Sequence, residues 1–270
     1  MIGLTLGAYY YKPGLSRQIS DTEIKGEIDA IHVEFPAYGY RRIYWELLHA
    51  GKRVNAKRLR RIMKDYGLFP IRPRAFIRTT DSDHPWRCYP NLLAKILAIT
   101  GPNQVWVADI TYIRILTGFV YLAAILDLYS RKVVGWSISR QIDRRLTLGA
   151  LQQALRERKP PEGCLHHSDR GVQYACDDYI KLLEDNKLRP SMSRSGNPYD
   201  NAAAESFMKT LKYEEVYLGG YETYEDVLNR LPYFIEELYN KKRLHSSLGY
   251  MPPDEFERQL RVHEKPVKLS

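Results

Sequence analysis

Apolar positions in the second part of the chain follow the periods of strands and helices in turn. Residues 104–113 are apolar on both alternating faces and rich in β-branched and aromatic side chains, which predicts a strand covered on both sides. Similar patterns predict strands at 119–128, 132–138, 163–169 and 188–192, and helices at 144–158 and 176–186. This order predicts an α/β fold with a mixed five-stranded sheet flanked by helices.

Helical periodicity governs the first part of the chain, where three short helices are predicted at 21–35, 41–50 and 56–66. Asn55 is the expected N-cap of the third helix, and Gly67 its end. The basic face of that helix consists of Lys57, Arg58, Arg60, Arg61 and Lys64. Three such helices predict a helix-turn-helix-like DNA-binding module. Charge alone does not decide whether it reads bases or contacts only phosphates.

Changes in composition divide the chain into five predicted segments. They are an amino-terminal segment (1–20), the basic helical module (21–67), a basic proline-rich linker (68–101), the α/β core (102–215) and a carboxyl-terminal helix and tail (216–270). The carboxyl-terminal helix is expected to begin at Thr223, with Asp226 three positions on, and to bury Val227, Leu231, Ile235 and Leu238. Pro232 falls inside this helix and argues against its continuity.

Three acidic residues occupy positions where a carboxylate needs an explanation. Asp109 lies within an apolar strand, Asp169 closes a second strand, and Glu205 opens a helix predicted at 198–212 with Asp200 or Asn201 as its cap. The intervals between the three acids are 59 and 35 residues. Taken singly, each has an ordinary interpretation as a hydrogen-bonded strand residue, a turn residue or half of a surface ion pair.

Taken together, the three carboxylates fit metal-dependent phosphodiester chemistry. An in-line displacement builds charge on the attacking and leaving oxygens, which two metal ions about 3.5 to 4 Å apart can stabilise. Mg²⁺ accepts one or two protein carboxylates per ion and completes its shell with water and phosphate. We therefore expect Asp109, Asp169 and Glu205 to be catalytic and to bind Mg²⁺ or Mn²⁺, as two ions when DNA is bound.

Four separated motifs extend this picture: PNQVWVADITYI at 102–113, HSDRGVQY at 167–174, SRSGNPYDNAAAESF at 193–207 and YNKKRLHSSLGY at 239–250. In order and spacing they resemble the second-frame protein of IS-three family insertion-sequence transposases, within the retroviral-integrase superfamily. The resemblance implies an RNase H-like fold with Asp109, Asp169 and Glu205 as a DDE triad. It also implies that Lys209 and Lys212 contact the transposon end. For Arg243, in the last motif, phosphate contact and carboxyl-terminal packing are both open.

The basic residues are concentrated in the first part of the chain. Residues 1–100 contain 17 lysines and arginines against 9 aspartates and glutamates, whereas residues 101–270 contain 24 against 23. Because a carboxylate cluster repels phosphate, we expect the first part to hold much of the DNA affinity.

Cysteines and apolar runs bear on the cellular compartment. Cys88, Cys164 and Cys176 are odd in number and unclustered, which predicts reduced thiols and neither a disulfide framework nor a zinc site. The chain has neither an apolar run of membrane-spanning length nor a secretory signal pattern, so we expect a cytoplasmic, nucleoid-associated bacterial protein.

The expected function is a Mg²⁺-dependent DDE transposase that nicks transposon ends and joins the freed 3′-hydroxyl to another phosphodiester. An RNase H-like structure-specific nuclease and a non-catalytic DNA-binding remnant are the alternatives. A tyrosine recombinase is disfavoured, because in the closing motif His245 is followed three positions on by Leu248 and not by arginine. Expected partners are double-stranded DNA of the transposon ends and target, and further copies of the chain on DNA. The resemblance adds an upstream-frame helix-turn-helix protein, by fusion or association.

Overall fold

Residues 19–71, 88–194 and 201–263 are the part of the chain that the computed structural model describes. The chain separates into two units at residues 71 and 72. Most of the predicted proline-rich linker and the candidate cap Asp200 lie outside the described residues. Among the helices within the described ranges, none is long and apolar enough to cross a membrane.

The first unit consists of three helices, as the periodicity predicts. They are α1 (Asp21–Glu34), α2 (Tyr40–His49) and α3 (Ala56–Asp65). Helix α1 begins with a capping box, because Ser20 Oγ accepts from Glu23 N at 3.1 Å and Glu23 Oε2 accepts from Ser20 N at 2.7 Å. Asn55 caps α3 as predicted, since its Oδ1 accepts from Lys57 N at 2.8 Å.

A small apolar core joins these three helices. It consists of buried residues at helical spacing and two from the connecting turns: Ile24, Ile28, Tyr38, Ile43, Leu47, Val54, Leu59, Ile62 and Met63. Tyr66, which the sequence placed on the apolar side of α3, is instead 47 % exposed, because the helix ends at the preceding residue. The basic face of α3 lies opposite this core, on the solvent side.

The second unit is built on a five-stranded sheet. Its strands are β1 (Val105–Ile115), β2 (Gly118–Asp127), β3 (Val133–Ser139), β4 (Leu165–Ser168) and β5 (Arg189–Met192). They lie in the order β3-β2-β1-β4-β5. The first three strands form an antiparallel meander, whereas β4 runs parallel to β1 and β5 parallel to β4. The predicted mixed sheet is therefore confirmed.

Helices cover both faces of the sheet. They are α4 (Arg144–Arg158), α5 (Val172–Ala175), α6 (Asp177–Asp185), α7 (Ala202–Leu211), α8 (Tyr217–Gly219), α9 (Tyr224–Tyr233) and α10 (Pro253–His263), with short 3₁₀ turns at Leu93–Lys95 and Ser246–Leu248. Helices α4 and α6 pack with one set of alternating strand residues, and α7 and α9 with the other set. The strands are thus buried on both faces, which explains their continuous apolar runs.

Gly135 on β3 allows helix α4 to pack closely against the sheet. A Cβ at this position would lie 2.3 Å from the carbonyl oxygen of Ala150 and 2.8 Å from the Cβ of Ala154. Because neither backbone can yield that much, only glycine allows the helix and the strand to approach so closely.

Pro232 lies inside α9 without ending it. The predicted start is confirmed, because Thr223 and Asp226 form a reciprocal capping box. Beyond Pro232 the chain continues as π-helical turns over Phe234–Lys242, in which each bond spans five residues. Proline lacks an N–H donor, and local widening is one way in which a helix accommodates the missing bond. The sequence did not predict this π geometry.

Candidate active site

Asp109 and Asp169 start from neighbouring positions on two parallel strands. In the β1–β4 pairing Val107 lies beside His167, and each aspartate follows two residues later on its own chain segment. Adjacent strands lie about 4.8 Å apart, and residues two apart point to the same face. Asp109, within β1, and Asp169, one residue past the end of β4, therefore lie at the same edge of the sheet.

The turn after β4 holds the Asp169 carboxylate. Gly171 N donates to Asp169 Oδ1 at 2.9 Å, and Arg170 Nε donates to the carbonyl oxygen of Ser193 at 2.9 Å. A Cβ at Gly171 would lie 3.0 Å from Asp169 Oδ1 and 3.2 Å from Gln173 Oε1. Any larger residue at 171 would thus press on the carboxylate that the turn positions.

Glu205 reaches this edge on helix α7. The buried residues Ala204, Phe207, Met208 and Leu211 pack the helix onto the face of the sheet from which Asp109 projects. At the start of the helix, Asn201 Nδ2 donates to the carbonyl oxygen of Ala108 at 2.9 Å. Glu205 lies one helical turn after Asn201. The amide of Asn201 therefore fixes the start of the helix beside Asp109.

The electrostatics show that the three acids act on one another. The pKa of Asp109 is raised to about 7, mainly by burial, next by the charge of Asp169, and more weakly by Glu205. The N–H of Ile110, which donates to Asp109 Oδ1 at 2.8 Å, and the ammonium of Lys212 act in the opposite direction. Burial lowers the pKa of Lys212, and the charge of Asp109 opposes this. Like charges thus crowd at one place, which favours a cation there.

The predicted metal ligands do not form a preformed metal site within the described residues. Among the residues that the structure describes, no group of three or more His, Cys, Asp or Glu side chains is arranged so that it could hold a metal ion. Both of the other acids are within electrostatic range of Asp109.

Asn201 is the residue of the site whose role the sequence did not reveal. The pattern indicated a helix cap, but its side chain makes no capping hydrogen bond and binds the β1 backbone instead. This hydrogen bond joins residues that are 93 positions apart. No local pattern could have shown it, since it depends on how α7 packs against β1.

Other candidate groups are engaged in structural hydrogen bonds. Asp127 is buried at the end of β2, and its Oδ1 accepts from Tyr129 N at 2.9 Å and from Ser130 N at 3.0 Å, so this carboxylate holds the turn after β2. His166 bonds the hydroxyl of Tyr179 at 2.9 Å. His167, on the opposite face of β4, bonds Ser191 at 2.8 Å and Ser193 at 3.0 Å.

The predicted DNA-contacting cations of the second unit differ in exposure. Lys209 is exposed, with its Nζ 5.9 Å from the ring centroid of Tyr213. Lys212 is half-buried, with its Nζ 4.2 Å from the ring centroid of Tyr112. Arg243 is buried and forms a forked ion pair with Glu214, at 2.6 and 2.7 Å. Of the two interpretations of Arg243, this burial favours carboxyl-terminal packing over phosphate contact.

Four cations of helix α3 are candidate DNA contacts, and they divide into two pairs. Lys57 and Lys64 are exposed. Arg58 and Arg61 both contact the carboxylate of Asp21, at 2.6 and 2.5 Å. Side chains exposed to this degree can exchange such a pair for a phosphate at small cost.

Comparisons with known proteins agree with this arrangement. Residues 99–198 and 186–253 match families described as integrase core domains, and residues 19–76 match an HTH-like domain. The chain is 40 % identical to the insertion element IS600 uncharacterized 31 kDa protein of Shigella sonnei, over 95 % of this chain and 96 % of that protein. It is 37 % identical to the transposase for insertion sequence element IS904 of Lactococcus lactis, over 92 % and 96 %.

The chain belongs to the IS-three family of insertion-sequence transposases. Transposase InsF of insertion sequence IS3A from Escherichia coli is 39 % identical over 82 % of this chain and 76 % of that protein. Among solved structures, the catalytic core domain of BIV integrase gives a TM-score of 0.46 at 18 % identity, over 60 % of this chain and 98 % of that one.

Family membership assigns an activity and two domain types to the chain. The chain is a transposase with an integrase catalytic core of the RNase H-like type and an amino-terminal helix-turn-helix-like region. It is therefore a DNA-binding polynucleotidyl transferase. Enzymes with this core generally use divalent metal ions. The bounds of the five predicted segments, by contrast, stay predictions.

Proposed function

We propose that the chain nicks the ends of its element to free a 3′-hydroxyl and then joins that hydroxyl to another phosphodiester, with Asp109, Asp169 and Glu205 as the catalytic acids. The observation that carries this proposal is the β1–β4 register, which sets the two aspartates side by side, with the helix of Glu205 held against the same strand by Asn201.

The chemistry of the three acids suits a hard divalent cation. Burial and the neighbouring carboxylates raise the pKa of Asp109, so a positive charge among them would relieve the repulsion. Asp109, Asp169 and Glu205 would hold Mg²⁺ or Mn²⁺, as two ions with DNA bound, and each ion takes only one or two of these carboxylates. When bound, the metal supplies stabilisation of charge on the attacking and leaving oxygens.

The proposed reaction needs no nucleophile from the protein. In the nicking step a water oxygen forms the new bond to phosphorus, the bond from phosphorus to the 3′-oxygen breaks, and that oxygen leaves as a 3′-hydroxyl. In the joining step this hydroxyl attacks a second phosphodiester and displaces its 3′-oxygen, so the number of phosphodiester bonds is conserved. The protein orients the groups and excludes competing water.

Cations on both units are proposed to hold the DNA. Lys209 and Lys212 lie on and just after the helix of Glu205, so they are placed to contact the phosphates next to the scissile bond. On helix α3, the proposed contacts are Lys57, Arg58, Arg61 and Lys64. We also propose assembly as a homo-oligomer on DNA, association with an upstream-frame helix-turn-helix protein, and a cytoplasmic, nucleoid-associated location.

A strand-transfer assay tests the function. The purified chain, with a labelled duplex carrying the end of its own element and Mg²⁺ or Mn²⁺, is expected to give a nicked strand and a joined product of higher mass. A nicked strand without any joined product, in the presence of the upstream-frame protein as well, would favour the structure-specific nuclease instead. Neither product under these conditions would favour the non-catalytic remnant.

Alanine at Lys209 or Lys212 is expected to weaken binding to the transposon end. Removing one phosphate-binding ammonium should make the slope of log K against log salt concentration shallower by about 0.9. Fluorescence anisotropy over a salt series, without divalent metal, measures this slope. Lys181→Ala, which replaces an exposed lysine on helix α6, is the matched control and should leave the slope unchanged. An unchanged slope for Lys209→Ala and Lys212→Ala would show that these lysines do not contact the DNA phosphates.

A further inference from the structure

The β1–β2 hairpin carries aromatic and basic side chains together on one of its faces. Tyr112 is paired with Tyr121, and Arg114 with Phe119, in the antiparallel register. Because residues two apart and residues directly opposite one another share a face, these four side chains lie on the same side of the sheet. They are called the hairpin face below.

Arg114 and Phe119 of the hairpin face are open to solvent, whereas Tyr112 and Tyr121 are partly buried. Further along the strands, Ala108, Ala123 and Ile125 on this side are buried beneath the helices. Phe119 in contrast is 49 % exposed. Its ring meets that of Tyr112 edge to face, with the centroids 5.4 Å apart and the planes at 86°. This contact fixes the orientation of an aromatic ring that core packing does not use.

Cations border the two rings. Lys212 Nζ lies 4.2 Å from the ring centroid of Tyr112, and Arg114 is exposed directly across from Phe119. A single exposed phenylalanine is common on protein surfaces and needs no function. An exposed ring bordered by an ammonium and a guanidinium is instead the combination that binds the bases and phosphates of single-stranded nucleic acid.

The hairpin face lies near the proposed catalytic acids but on the other side of β1. Tyr112 follows Asp109 by three residues, so the two side chains leave opposite faces of the strand, about 10 Å apart along it. Lys212 links the two sides, because its ammonium covers the ring of Tyr112 and is within electrostatic range of Asp109. The pairing of β1 with β4 ends at Val107, so a DNA strand whose phosphate lies against Asp109 can pass the edge of β1 beyond that residue to reach the hairpin face.

We propose that the hairpin face binds an unpaired nucleobase a few nucleotides from the scissile phosphate, with the ring of Phe119 stacked on the base and Arg114 and Lys212 on the flanking phosphates. The proposal rests on the proposed function, and it adds a subsite for a separated strand. Bringing a backbone phosphate against a set of side chains at a duplex end is easier once the pairing there is opened, and stacking offsets part of the free energy of unpairing.

Two probes that differ only in their bases test this subsite. One is a duplex with a short single-stranded thymidine tail; the other carries an abasic tail of the same length and charge. With the full chain and no divalent metal, the thymidine tail is expected to bind about fivefold more tightly, the advantage of one stacked base. Phe119→Leu, which keeps an apolar side chain but removes the ring, should abolish this difference.

Tyr233→Leu serves as the matched control, because Tyr233 is an aromatic residue of similar exposure, 53 %, on helix α9. This variant should keep the preference for the thymidine tail. A fluorescent base analogue, 2-aminopurine, placed in the tail should be quenched on binding to the wild type and to Tyr233→Leu, but not to Phe119→Leu. The quenching reports stacking itself, which a change in overall affinity does not.

Equal affinity of the wild type for both tails would overturn the subsite, and so would an undiminished preference in Phe119→Leu. A change of oligomeric state in Phe119→Leu, with the tail preference intact, would identify the hairpin face as a protein interface instead. These results are separate from the strand-transfer assay. If the chain joins DNA but binds both tails equally, only the subsite proposal is ruled out. If the chain prefers the thymidine tail but never cleaves DNA, the proposed reaction is ruled out.

Discussion

Asp109→Asn is expected to abolish both nicking and joining, with product yields lower by about 10³-fold or more, while binding of the transposon end is retained. Asparagine keeps the shape of the side chain and the hydrogen bond from the N–H of Ile110, but it removes the charge that would bind the metal ion. Quantitative strand-transfer and anisotropy assays on the same preparation measure the two properties.

The same substitution separates loss of catalysis from loss of folding. The folded-state pKa of the Asp109 carboxyl, about 7, lies above its ordinary value of 3.8. The charged form is therefore penalised in the folded state, and the penalty grows as pH rises through this interval and is complete above it. Without divalent metal, Asp109→Asn should raise Tm above pH 7 and leave Tm unchanged below pH 3.8.

Glu184→Gln, which replaces an exposed carboxylate on helix α6, is the control for Asp109→Asn and should change neither activity nor Tm. Strand transfer at the wild-type rate by Asp109→Asn would remove Asp109 from the catalytic set. A lower Tm above pH 7 would show instead that the carboxylate has a structural role.

Arg158→Met is expected to destabilise the second unit by about 3 to 5 kcal/mol. The guanidinium of Arg158, at the end of α4, forms two hydrogen bonds of 2.7 Å with the carboxylate of Glu257 on α10. Both side chains are nearly buried, at 9 % and 5 % exposure. Burial raises the pKa of Glu257, but hydrogen bonds from Arg158 and Ser130 and the charges of Arg158 and Lys132 together lower it, so Arg158→Met would leave a buried carboxylate without its closest cation.

The double variant Arg158→Met with Glu257→Met provides the matched comparison. Apolar side chains of similar volume can replace a buried ion pair at little cost, so the double variant should regain most of the lost stability. Urea unfolding followed by circular dichroism measures the free energy of unfolding for all three proteins. A loss below about 1 kcal/mol for Arg158→Met would place this pair with ordinary surface ion pairs.

The elements of the fold could be predicted from the sequence because their patterns are local. The strand that contains Asp109 and helix α4 follow from a few consecutive residues, and both were found where expected. The π-helical turns after Pro232 could not be predicted, because a proline inside an apolar pattern indicates a break as readily as a widened turn.

The candidate site could be predicted only in part. The positions of Asp109, Asp169 and Glu205 stand out by chemistry and by family resemblance, but the sequence does not reveal which residues of β1 and β4 lie side by side. That register is decided by packing of the whole sheet. Likewise, the burial of Arg243 against Glu214 depends on a helix that follows the core, and the sequence left its role open.

The origin of each acid has a consequence for how the site assembles. Asp109 and Asp169 follow from adjacent hydrogen-bonded strands, so separating them would break the sheet, whereas Glu205 belongs to a helix whose start is tied to β1 by the amide of Asn201. The site thus combines a rigid half and an adjustable half. If the proposed cation binds there, then by thermodynamic linkage a change that docks this helix more firmly would tighten cation binding, and the cation would in turn dock the helix.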